Sequence, residues 1–91
     1  MKTYVLFNKY YLESGKSFVG VYSSVKTAKE NISINKTSDY GERFEIYAIE
    51  EDTNKKLLVW EGYTIGTYFA DHEKHDYFHK GELLYTCHKN K

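Results

Sequence analysis

The stretch KTYVLFNKYYLESGKSFVGVYSSVKTAKENISI, Lys2 to Ile34, decides the fold. Thr3 to Tyr11 is dense in β-branched and aromatic residues, which pack well on a pleated surface. Val5 and Phe7 fall on one face of such a strand, Tyr4 and Leu6 on the other. Ser17 to Ser23 repeats the pattern, and Glu13-Ser14-Gly15-Lys16 between them has the length of a hairpin connection. Gly20, inside the second run, marks a bulge or the close approach of a neighbouring side chain. Ser23-Ser24 then offers a hydroxyl to the first free amides of a helix. Val25, Ala28 and Ile32 give that helix one apolar stripe, with Lys26, Lys29 and Glu30 opposite. The helix is expected to end between Asn35 and Ser38, before the Asp39-Tyr40-Gly41 turn.

Two further β runs follow. Phe44 to Glu50 alternates, with Phe44, Ile46 and Ala48 on one face, and Lys56 to Tyr63 is a fourth strand beyond the polar turn Glu51 to Asn54. Leu83 to His88 reads as a last strand. Thr67 to Lys80 reads either as a second helix, capped at Thr67 or Asp71, or as an irregular aromatic loop. The expected fold is α+β in one domain, 1–91: an antiparallel sheet of four to five strands, one helix on a face, and room for a second helix near the C-terminus. Phe7, Val19, Val21, Val25, Ala28, Ile32, Phe44 and Ile46 are the expected core.

Phe18-Val19-Gly20-Val21-Tyr22-Ser23-Ser24, with Ala28 after it and Phe44 to Ile49 later, resembles small bacterial and phage domains of unknown function. The resemblance covers the first half of the chain. It implies a β-β-α-β unit and brings no known active residues. The segment after Tyr63 has no counterpart in it.

Composition narrows the function. Thirteen basic residues balance thirteen acidic ones, and only Arg43 carries a guanidinium. Nucleic-acid binders show a basic excess and lean on arginine for base edges, so nucleic acid is not an expected partner. No apolar run approaches the length that spans a membrane, and the residues after Met1 are too few for a signal-peptide core. The single Cys87 cannot form an intramolecular disulfide. These features point to a cytoplasmic protein. Abundant Lys, Asn, Ile and Tyr fit an AT-rich bacterium or one of its phages.

Three constellations carry residue types capable of chemistry. His72, His75 and His79 would share one face of a helix and could hold Zn²⁺ with a water in the fourth position, oriented by Asp71, Glu73 and Asp76. The segment lacks the H-E-x-x-H order, so a polar surface is the expected reading, with no metal and no cofactor. Cys87 and His88 are adjacent on a strand and point to opposite faces, so they cannot act as nucleophile and base together. Glu50-Glu51-Asp52 with Asn54 lacks the glycine and distal Glu of a Ca²⁺ loop. The chain is therefore not expected to be an enzyme.

Aromatics remain. Ten Tyr, five Phe and one Trp exceed what a small core absorbs. Trp60, Tyr63, Tyr68, Phe69, Tyr77 and Phe78 are the expected protein-binding surface. The favoured function is non-enzymatic protein binding, in its concrete form a phage or mobile-element inhibitor of a bacterial host protein, an anti-defence role. The alternatives are a small-molecule or nucleotide-binding module, assembled as a homo-oligomer, and a His-dependent metal protein.

Overall fold

The computed structural model describes residues 2–10, 15–50, 52–53, 55–70 and 81–88. It contains β1 (Thr3–Tyr10), β2 (Ser17–Tyr22), α1 (Val25–Glu30), β3 (Glu42–Ile49), β4 (Lys56–Ile65) and β5 (Glu82–Thr86). The five strands form one sheet in the order β2-β1-β3-β4-β5. The class is α+β, but the expectation of a purely antiparallel sheet needs correction: β4 and β5 run parallel, and the other three pairings are antiparallel. A parallel neighbour cannot be reached by a tight turn and requires a crossover connection. β4 and β5 are accordingly far apart in sequence, with residues 66–81 between them. A single helix is seen among the described residues. Thr67 to Ala70 form turns, and the rest of the expected second helix lies outside the described residues.

The helix begins as expected. Ser24 has extended backbone angles, and its hydroxyl accepts from the Thr27 amide at 3.1 Å. It stops sooner than the apolar stripe suggests. The Asn31 amide turns back to the Ala28 carbonyl, and the Asn31 side chain donates to the Thr27 carbonyl at 2.8 Å. Asn and Ser compete for local backbone groups in this way and close a helix early. Ile32 and Ile34 then follow outside any regular element, and both pack against the core.

That core is Leu6, Ala28, Phe44 and Ile46, with Tyr4, Tyr22, Val25, Ile32, Ile34, Trp60 and Leu84 half-buried around it. All the strand members lie on the face beneath α1. The expected core therefore divides. Ala28, Phe44 and Ile46 are buried, and Val25 and Ile32 pack at its margin. Phe7 is only half-buried and lies on the opposite face, and Val19 and Val21 are exposed, at 42% and 55%. Val21 takes the parity of Val5, on the face that no helix covers, and the bulge hinted at by Gly20 brings Phe18 to the same face. The register shifts between Leu6 and Phe7, so that Phe18 opposes Phe7 and Val21 opposes Val5. Phe18 and Val21, three apart in sequence, thereby share the face that no helix covers. Gly20 itself lies opposite Leu6, where a Cβ would stand 2.5 Å from the Tyr22 hydroxyl.

No helix among the described residues is long and apolar enough to cross a membrane.

Candidate functional site: the uncovered sheet face

Strands alternate their side chains, so a sheet with apolar residues at both parities has two apolar faces. One short helix covers one of them here. The other carries a herringbone of rings across three strands. Phe7 on β1 stands edge-on to Phe18 on β2, at 6.2 Å between centroids, and to Tyr47 on β3, at 5.7 Å. Val21 opposes Val5 at the β2 margin, and Leu58 opposes Tyr47 on β4. Phe18 is 62% exposed, and Leu58, Val19 and Val21 are all exposed. Val5 is buried beneath this layer.

Charged groups brace the rings. Glu45 is buried on this face. It is paired with Lys16 and with Arg43, which also pairs with Glu61. The Tyr47 hydroxyl accepts from the Lys16 ammonium at 2.6 Å and donates to Glu45 at 3.3 Å. The ammonium loses solvation there, but bonds to Glu45 and Tyr47 outweigh that loss and hold its pKa above the ordinary lysine value. The Lys56 ammonium lies 5.0 Å from the Tyr47 ring centre and 5.8 Å from that of Phe7. These distances allow attraction between cation and ring.

The residues singled out from sequence fall in three places. Trp60 is half-buried under the helix side; its indole donates to Glu82 at 3.0 Å, and the Lys29 ammonium stands 5.0 Å over its ring. Tyr63 is half-buried on the uncovered face, opposite Arg43 and Leu83. Tyr68 and Phe69 cluster with Tyr40 at one end of the sheet, with Tyr68 exposed and Phe69 buried at 5%. Tyr77, Phe78, His72, His75 and His79 lie outside the described residues. Sequence reasoning missed Phe18, Val21, Tyr47, Lys56 and Leu58. The signal was present: Val5 and Phe7 oppose Tyr4 and Leu6 in parity, and a single helix can cover only one of those sets.

Buried polar groups gather at the sheet end beside residues 35–42. Glu42 is 1% exposed, and its carboxylate accepts from the Asn35 amide at 3.3 Å and from the Tyr10 hydroxyl. The Cys87 thiol donates to the Lys36 carbonyl at 2.9 Å; burial, and secondarily the Glu42 charge, push it up. A thiol held protonated is a poor nucleophile. Burial also pushes the Glu42 carboxyl up, against the lowering effect of its two donors. The folded chain therefore holds this proton more tightly than the unfolded chain does. The resulting stability is complete below the ordinary value of 4.5 and is lost as pH rises through the elevated one. Glu42→Gln stays neutral, so it should gain on the wild type as pH rises from 4.5 to neutrality. Urea unfolding across that range checks this; parallel stability curves would show that Glu42 titrates normally.

Residues 1–59 match the family described as a domain of unknown function (DUF7336). The match spans β1, β2, α1, β3 and the start of β4, and it ends before Trp60 and β5. No curated protein and no solved structure matches the chain.

Proposed function

The chain belongs to the DUF7336 family, and on that footing we propose that it is a non-enzymatic protein-binding module whose contact surface is the uncovered sheet face. One observation carries the reading. Phe7, Phe18, Val21, Tyr47 and Leu58 form a continuous apolar layer that α1 does not reach. A contiguous exposed apolar patch rimmed by charge is how protein contact sites look on soluble domains. All five residues fall within the family match, so the surface is part of the domain shared with the family. Composition supports a bacterial or phage source, and an inhibitor of a host protein, working in the cytoplasm, is the concrete form the role takes.

Phe18 is the anchor to test, because it is the most exposed ring on the face. Phe18→Ala should leave the melting temperature within about 2 °C, since exposed positions contribute little to stability. It should weaken the partner complex by about 2 kcal/mol or more, the scale of an interface hot spot. Proteins retained from a bacterial lysate by the wild type and lost with Phe18→Ala would be identified by mass spectrometry and titrated against both. A partner that binds both forms equally would remove this face from the contact.

A further inference from the structure

We infer that the partner surface taken by this face presents a carboxylate close to a large apolar side chain. The inference rests on the binding reading above and adds the chemistry of the partner. Among the described residues, four cations stand on this face, Lys9, Lys16, Arg43 and Lys56, against two carboxylates, Glu45 and Glu61. Lys16 and Arg43 are committed to those carboxylates. Lys56 is paired with no carboxylate among the described residues, and its ammonium stands over the rings of Tyr47 and Phe7. Lys9, opposite Arg43 at the other margin, is likewise unpaired among them. Among the described residues the face thus carries an excess of positive charge on a chain with no net charge.

The position of Lys56 matters more than its sign. Phe18 and Lys56 both flank the Phe7 ring, at 6.2 and 5.8 Å. A partner segment that seats an aliphatic or aromatic side chain on Phe18 brings its neighbours over Lys56 within a few residues, at about 3.3 Å per extended residue. Closing that contact strips water from Lys56. A desolvated ammonium requires a counter-charge, so the segment must supply one.

The same reasoning disfavours two other occupants. A second copy docked face to face would enclose Lys9 and Lys56 of both chains, and the carboxylates it brings, Glu45 and Glu61, are already paired with Lys16 and Arg43. Single-stranded nucleic acid would need a track of free cations along its phosphates. Here the only arginine is already bound to Glu45 and Glu61.

Selection of random linear peptides displayed on phage, against the full chain and with the Phe18→Ala chain as subtraction, tests the inference. The enriched peptides should carry Asp or Glu within about three residues of a Leu, Ile, Met, Phe, Tyr or Trp. A synthetic peptide of enriched sequence should lose about tenfold in affinity on Lys56→Met and weaken as NaCl is raised. Lys56 is exposed, so Lys56→Met should leave the melting curve unchanged. Enriched peptides without acidic residues, or an affinity indifferent to Lys56→Met but dependent on Phe18, would overturn the inference and leave the binding face standing. No enrichment over Phe18→Ala would overturn both. Binding of a fluorescein-labelled oligothymidine that requires Phe18 and Lys56 would replace the protein partner with nucleic acid.

Discussion

Phe44→Ala should lower the free energy of unfolding by about 3–5 kcal/mol, the usual cost of emptying a buried phenylalanine site. The ring is 1% exposed and belongs to the cluster under α1 with Leu6, Ala28 and Ile46. Its β4 neighbour is Gly62, across which the Trp60 indole lies: a Cβ there would sit 2.5 Å from that ring. Gly62 has no side chain to fill the hole, and the Trp60 indole is held by its bond to Glu82. Domains of this size have roughly 5–15 kcal/mol in total, so the variant should be partly unfolded at 37 °C. Phe44→Leu keeps most of the volume and should cost about 1.5 kcal/mol or less. Thermal and urea unfolding by circular dichroism measure both. A loss under 1 kcal/mol for the alanine variant would mean that the helix does not seal this face. Phe18→Ala, on the opposite face, should by contrast leave stability nearly unchanged and bear on the proposed contact instead.

The second large effect is expected at Gly66, which ends β4 against residues 38–41. A Cβ there would lie 2.4 Å from both the Asp39 carbonyl oxygen and the Gly41 nitrogen. These are backbone atoms, so no rotamer relieves the clash. The segment is pinned from several directions: the Thr67 amide donates to Ser38 at 3.1 Å, the Tyr68 amide to Asp39 at 2.8 Å, and the Thr67 hydroxyl to the Asp39 carboxylate at 2.9 Å. Gly66→Ala must break such bonds or shift the strand end, which would loosen buried Ile65 and Phe69. Overpacking and lost hydrogen bonds together should cost about 3 kcal/mol or more. Gly15→Ala is the control. Nothing lies within 4 Å of its Cβ position, and the change should stay within about 0.5 kcal/mol. Equal stability of the two variants would refute the close approach.

Much of the fold was legible because its signals are local. Period-two alternation located β1 to β4, and the Ser24 hydroxyl placed the start of α1. The parallel β5 was not legible, because nothing in Leu83 to Cys87 specifies the direction of its neighbour. The early end of α1 was hidden because Asn31 acts through its side chain, whereas Ile32 satisfies the stripe whether helical or extended. The uncovered face was hidden for a similar reason. Phe7 and Val21 are as apolar as Leu6 and Phe44, and pattern alone does not say which set a single helix covers. Composition shows an abundance of aromatics but does not locate them in the fold. Trp60 drew attention by its rarity, and the structure holds it by its indole proton to Glu82.

Apolar residues on both faces of β1 and β3 also leave a question of alignment. Sliding either strand by one residue would exchange its two faces. In most half-buried sheets the hydrophobic pattern forbids such a slip, but here it hardly would: Val5 and Phe7 would replace Leu6 beneath the helix at little loss of apolar burial. The charged residues of the uncovered face supply the missing constraint. A one-residue slip of β3 would drive Arg43 and Glu45 under α1 and part Glu45 from Lys16 and Arg43 from Glu61, and desolvated ions without partners are among the costliest errors a fold can make. The ion pairs that contribute little as surface contacts therefore act against the misaligned sheet, and through it they decide which of two apolar faces becomes the interior.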